Sequence, residues 1–321
     1  MIIMDSWRNE LKVDPVPKLL SSGNEAIKYF TLRDLCGRRV ESMETLWELP
    51  GAKKLLNRQE KDGSWSYHGK RAMKHQDYDQ YQTYLNLAEL VEKYGLNNRH
   101  ESIKEAAEYL FSFLSGEGDF RGIYGNQYST TYSPAIMEIL IKTGYVDDPR
   151  ITKGFKWLLS IRQDDGGWAL PFRTVGKNLE AFEISEPIYP DKSKPFSHMA
   201  TGTVLRAFAA HPKYRKSRDA KRAGELLLSR FFKSDKYQDR RSKDYWERVT
   251  FPFLYTDIIS ALDSVYFLEF NRKNQEIKGA FNFLRDKQND DGTFNLKITR
   301  GSDKDLPYWL CLAICRLFKR Y

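Results

Sequence analysis

Two kinds of hydrophobic pattern alternate along this chain. In the first, apolar residues recur at helical spacing on one side only. Ile103, Ala107, Leu110 and Leu114 lie four, three and four positions apart, and Ile151, Phe155, Leu158 and Arg162 repeat that spacing, as do Ile277, Phe281, Leu284 and Gln288. The stretch "SRDAKRAGELLLSRFF" (217–232) is of the same kind. These read as amphipathic helices with one wet face. Asp148 followed by Pro149 gives one of them an N-cap and a proline at the first helical position, and Asn274 opens another.

The second pattern is apolar nearly all round. It occurs in "SPAIMEILIKTG" (133–144), "TGTVLRAFAA" (201–210), "DIISALDSVYFLEF" (257–270) and "LPYWLCLAICRLF" (306–318), with "DQYQTYLNLAELVEKYG" (79–95) as a more polar member. A helix without a polar face has to be buried on both sides. The two kinds alternate about five or six times, which predicts an all-α chain of helical hairpins. An open solenoid would leave one face of its inner helices wet, so the pattern favours a ring, with buried helices as an inner barrel and amphipathic ones as its shell. No segment alternates convincingly with period two, so strands are expected only as short pairings.

Three amphipathic helices end on nearly the same phrase: "NRQEKDGSW" (57–65), "SIRQDDGGW" (160–168) and "RDKQNDDGTF" (285–294). After 101–114 the corresponding "SGEGDF" has lost the glutamine. Glycine permits the left-handed turn that ends a helix, and the preceding aspartate can bond nearby amides. The aromatic ring is expected to pack back on the helix end and the glutamine to reach the next hairpin's backbone. The phrase is therefore read as a joint, with no chemistry assigned to it. Gln59–Trp65, Gln163–Trp168 and Gln288–Phe294 resemble the QxxDGxW repeat of the terpene cyclase and protein prenyltransferase superfamily, whose fold is an α/α toroid. The resemblance spans most of the chain and implies one toroid domain over residues 1–321.

Composition narrows the classes. The chain has 321 residues, 41% hydrophobic and 14% aromatic, enough for a stable core without disulfides or metal. Cys36, Cys311 and Cys315 show no framework spacing, which favours a reducing, cytoplasmic setting. The charged start is not that of a signal peptide, and no apolar run is long enough to span a bilayer. The formal charge of +9 is interleaved with acids, so it reads as a solvated surface. It also suits an anionic ligand or peripheral contact with a membrane. No nucleic-acid motif is present.

The stretches that open the buried helices are rich in polar and aromatic groups: 75–84, 125–132, 196–202, 251–257 and 304–309. A ring would bring them to the mouth of one central cavity. His75, Gln127 and Asp305 belong to them. So do Tyr81, Tyr128, Tyr132, Tyr255, Asp257, Tyr308 and Trp309, the expected walls for an apolar or cationic guest. Asp77-Tyr78-Asp79-Gln80 resembles the DxDD motif of class II terpene cyclases, with Gln80 in place of the last acid. The resemblance implies that Asp79 is a protonated general acid, which needs a pKa raised by burial or by Asp77 beside it. The competing reading is a helix N-cap with an acidic first turn. His198 is either a general base or a histidine satisfied at a helix start, and Asp257 either a cavity group or a cap. No cysteine and histidine fall together at the mouth, so neither metal nor cofactor is expected.

The segment 171–197 is long for a connection and carries Pro171, Pro187, Pro190 and Pro195. Phe172, Phe182, Ile184 and Tyr189 argue that it packs as a lid or rim, with Glu183 and Glu186 turned inward or left on the surface. The expected function is binding of an isoprenoid or other apolar small molecule, with proton-initiated cyclisation as its catalytic form. The alternatives are a non-catalytic lipid- or protein-binding scaffold and a carbohydrate-active toroid. A glycan site would be polar and open, whereas a cyclase pocket would be closed and apolar.

Overall fold

A computed structural model describes residues 6–71, 73, 76–238, 241–299 and 303–321. In chain order its α-helices are α1 (Val16–Leu20), α2 (Glu25–Phe30), α3 (Pro50–Leu56), α4 (Tyr78–Tyr94), α5 (Glu101–Phe111), α6 (Tyr132–Leu140) and α7 (Pro149–Ser160). They continue with α8 (Pro171–Thr174), α9 (His198–Ala210), α10 (Arg218–Leu228), α11 (Ile258–Phe267), α12 (Gln275–Asp286) and α13 (Leu306–Arg320). Two strands of two residues, β1 (Arg248–Val249) and β2 (Lys297–Ile298), pair in parallel. The fold is all-α.

Six helices form a closed inner ring: α2 packs on α4, α4 on α6, α6 on α9, α9 on α11, α11 on α13, and α13 returns to α2. Around it, α3 and α5 pack on α4, α7 on α6, α10 on α9 and α1 on α2 and α13. Helix α12 meets α13 through the edge-on rings of Phe281 and Phe318, 4.8 Å apart. This is an α/α toroid. Four of the inner helices are the segments apolar all round, and α4 is the more polar fifth. The sixth, α2, is short and continues as a π-turn over Thr31–Leu35. Its buried Ala26, Ile27 and Phe30 alternate with Glu25 and Lys28, so the sequence pattern gives it no distinct signature.

The inner helices are not wholly apolar inside. Glu138 of α6 and Arg206 of α9 are both buried, and Arg206 Nε donates to Glu138 Oε2 at 2.7 Å. Lys142 Nζ donates to the other oxygen at the same distance. Burial alone would raise the Glu138 pKa, but Arg206 and Lys142 outweigh it and hold the carboxyl below its ordinary range.

The repeated phrase is built as a joint. Gln59 Nε2 donates to the carbonyls of Gly63 (2.9 Å) and of Ser102 in α5 (2.7 Å). Trp65 is buried, its indole N–H donating to the Leu55 carbonyl at 2.8 Å. Its backbone N–H donates to Thr83 Oγ1 of α4 at 2.9 Å. Trp168 repeats both bonds with Leu158 (2.7 Å) and Thr201 (2.9 Å). Gly63 has φ +85°, and a Cβ there would strike the Glu105 carbonyl of the next hairpin. Where the glutamine is lost, the remaining geometry persists: the Phe120 N–H donates to Ser133 Oγ at 3.1 Å. The third joint closes the circle. Gln288 Oε1 accepts the Lys12 N–H (2.7 Å), and its Nε2 donates to the Val13 carbonyl (2.8 Å), tying the end of α12 to the start of the chain.

Candidate functional site

Two cavities adjoin inside the ring. The first, lobe one, holds about 600 Å³ and lies between α4, the segment 250–254 and the start of α13. The second, lobe two, holds about 480 Å³ and is walled by Tyr124, Phe172, Phe182, Met199 and Tyr255. Leu254 lines both. Tyr81 of lobe one meets Tyr132 of lobe two edge-on, with ring centroids 5.6 Å apart. Tyr81 lies in the first turns of α4 and Tyr132 opens α6, so the contact between these helices sets the waist. Burial, then the neighbouring phenols of Tyr124, Tyr255 and Tyr84, push Tyr132 well above an ordinary tyrosine.

Six of the fourteen residues that line lobe two are aromatic, with Tyr124 and Phe182 stacked at 4.8 Å, and Arg173 and Arg248 line it too. Phe172 and Phe182 come from the segment 171–197, which forms a small apolar cluster of its own with Leu170 and Ala181. Gln127 fastens that segment: its Nε2 donates to the carbonyls of Ile184 (3.1 Å) and Glu186 (3.0 Å), and its Oε1 accepts the Ile188 N–H (2.9 Å). Glu183 borders a separate hollow of about 510 Å³, together with Asp77. Glu186 is exposed.

The remaining expected site residues lie elsewhere. Asp77 caps α4, accepting the Gln80 N–H at 2.7 Å. Asp79 lines neither lobe. It accepts the Tyr67 N–H at 2.7 Å and the Arg71 guanidinium at 3.2 Å, with about a third of its side chain exposed (35%). Its carboxylate therefore faces an arginine and solvent and borders neither lobe. His198 is buried under Trp246, rings stacked at 4.6 Å, with Nδ1 3.2 Å from the Asp235 carboxylate. Burial, only partly opposed by Asp235, pushes its pKa down to about 4. Asp257 caps α11 through the N–H groups of Ile259 and Ser260, and burial pushes it up to about 7.

Tyr128 sits under the rim segment, its ring 5.3 Å from Tyr189 and its hydroxyl on Glu117. Trp309 backs the wall of lobe one, stacked 5.6 Å behind Phe251. Tyr308 faces the Lys18 ammonium, 5.9 Å from its ring centroid. His75 lies outside the described residues. Of the expected site residues, the structure brings Tyr81, Tyr132 and Tyr255 to the adjoining lobes and takes the acids and the histidine away from them.

Sequence reasoning missed the other wall of lobe one. Gln82, Asn86, Glu89 and Lys93 line it along a single face of α4. Lys93 Nζ donates to Glu89 at 2.9 Å and to Asp303 at 2.7 Å. Burial works against the Lys93 charge, but the two carboxylates outweigh it and raise its pKa. The signal was present in the sequence as the extra polarity of the 79–95 helix.

No family model matches the chain. Solved structures similar to it include the type II terpene cyclase MstE from Scytonema. One MstE variant, in complex with geranylgeranyl dihydroxybenzoate as substrate, shares 12% identity over 87% of this chain and 84% of its own, with a TM-score of 0.45. Another variant, without ligand, shares 15% over 86% and 81%, at 0.47. A protein from Actinoplanes shares 12% over 87% and 99%, at 0.33. The toroid assignment rests on the ring of helix contacts within this chain. Among the described residues, no helix is long and apolar enough to cross a membrane.

Proposed function

We propose that this toroid binds a small molecule with an apolar, isoprenoid-type chain across its two adjoining lobes. The observation that carries the reading is the waist: Leu254 lines both cavities, and the Tyr81–Tyr132 contact joins their walls. Each lobe falls within the volume range of small-molecule sites, and lobe two offers aromatic rings with Leu170, Leu179 and Met199 as surface for an apolar chain, with Arg173 and Arg248 beside them. The rim segment supplies Phe172 and Phe182 to that wall, so it acts as a cover for the bound chain.

Binding is preferred to proton-initiated cyclisation. That chemistry needs a neutral carboxylic acid facing the apolar lobe. Asp79 faces Arg71 and the Tyr67 amide instead, and Asp77 and His198 lie away from both lobes.

The test is calorimetric titration with farnesol and geranylgeraniol, using the wild type and Leu254→Trp. The larger side chain fills space common to both lobes, so binding is expected to fall at least tenfold while the variant keeps its helical circular dichroism. Equal affinity in wild type and variant, or no binding of either alcohol, would refute the site.

A further inference from the structure

Lobe one has a wall that a hydrocarbon guest does not use. Gln82, Asn86, Glu89 and Lys93 follow one another at four, three and four positions, so they form one stripe down α4. Phe251, Pro252 and Phe253 line the same cavity from the segment 250–254. The cavity is therefore two-sided, polar along a helix and apolar along a loop.

The polar side offers both donors and acceptors. Gln82 Nε2 donates to Asn86 Oδ1 at 2.9 Å. That bond uses one group of each amide and leaves the Gln82 carbonyl to accept and the Asn86 amide to donate. Lys93 is almost wholly buried, with 5% of its side chain exposed, and is held between Glu89 and Asp303. Those two carboxylates remain about a third exposed, at 36% and 35%. Two carboxylates against one ammonium leave this wall with one negative charge in excess.

A purely apolar guest would strip water from these groups and return no hydrogen bond, which costs free energy at each of them. A phosphate or carboxylate would meet the excess negative charge of Glu89 and Asp303. Hydroxyl groups both donate and accept, carry no charge and match the mixed lining. The rings of Tyr67 and Tyr81, which line the same lobe, add flat apolar surface beside the stripe.

We propose that lobe one holds an uncharged, hydroxylated head, a sugar ring or polyol, on the ligand whose apolar chain lies in lobe two. The proposal rests on the two-lobe reading above and names the polar end of that ligand. Gln82 and Asn86 are the residues that distinguish a hydroxylated head from a bare chain.

The experiment compares geraniol, geranyl β-glucoside and geranyl phosphate by calorimetry on the wild type, Gln82→Leu and Asn86→Leu. The glucoside is expected to bind at least tenfold tighter than geraniol, about 1.4 kcal/mol, and geranyl phosphate more weakly than geraniol. Each variant is expected to reduce the preference for the glucoside over geraniol to about twofold or less, the ratio of the two affinities being compared protein by protein. The two variants serve as checks on each other, and melting curves identify one that fails to fold. Equal affinity for glucoside and geraniol, or tightest binding of the phosphate, overturns the head-group assignment and leaves the apolar-chain reading standing. The phosphate result would point instead to Arg173 and Arg248, which line lobe two. If none of the three binds, both proposals fall.

Discussion

At the residue scale, two buried groups should tilt the stability of this protein in opposite directions with pH. Burial under Trp246 pushes His198 down to about 4, from an ordinary 6.5, with Asp235 opposing and Arg230 reinforcing the shift. Between those values the unfolded chain takes up a proton that the folded chain refuses, so this contribution to stability falls as pH falls from 6.5 to 4. Asp257 is pushed by burial from 3.8 up to about 7, against its backbone bonds and Arg206. There the folded chain keeps a proton that the unfolded chain releases, so this contribution falls as pH rises from 3.8 to 7. The wild type is expected to lose melting temperature relative to His198→Phe as the buffer is acidified. Asp257→Asn keeps a capping oxygen without the charge, so it should gain on the wild type as pH rises. Parallel melting-temperature curves for either variant across pH 4 to 7 would show that its group does not titrate as described. Both residues were singled out in the sequence as sites or caps. What the sequence could not supply was their surroundings, because Trp246 and Asp235 reach His198 from a segment far along the chain.

At the element scale, the joints were legible and the cavity wall was not. The acid-glycine pair and the aromatic ring bond within the helix ending itself, which makes the phrase recognisable, while the glutamine reaches the neighbouring hairpin. Trp65→Ala and Trp168→Ala remove fully buried rings and their indole bonds to Leu55 and Leu158. Each is expected to destabilise by about 3–5 kcal/mol in denaturant titration. A loss under about 1 kcal/mol for both would mean that the rings do not carry the joints. The stripe on α4 depends instead on how that helix is rotated in the ring. Periodicity places Gln82, Asn86, Glu89 and Lys93 on one face but does not say whether the face meets solvent, a neighbour or a void. For the same reason the paired acids at 77 and 79 suggested a site. Asp77 caps α4 through the Gln80 N–H, and Asp79 meets Tyr67 and Arg71 of the preceding loop, contacts that the spacing of two acids does not reveal. Helix α2 escaped notice because six residues give too little pattern to separate an inner helix from an outer one.

At the scale of the whole molecule, closure depends on a few contacts that join the two ends of the chain. Helix α13 packs on α2, and the Asn24 amide that opens α2 donates to Asp305 at the start of α13 at 2.8 Å. Gln288 holds residues 12 and 13 by accepting both of their backbone N–H groups and donating to the Val13 carbonyl. A ring differs from an open solenoid in that opening one seam exposes the two helices beside it while the rest stays stacked. Gln288→Ala removes the polar latch and leaves the α2–α13 apolar contact in place. Hydrogen exchange is therefore expected to accelerate in residues 12–35 and 306–320, and to stay near wild-type rates in α6 and α9 on the far side of the ring. Gln59→Ala, which cuts an equivalent bond between neighbouring hairpins, should raise exchange around residues 55–65 and 102–105 without reaching α13. Uniform acceleration along the chain in Gln288→Ala would mean that the toroid opens as one cooperative unit. No acceleration at either end would mean that the remaining seam contacts hold the ring without the Gln288 latch. Because lobe one lies between α4 and the start of α13, the first pattern also predicts that a ligand seated there slows exchange at this seam more than elsewhere.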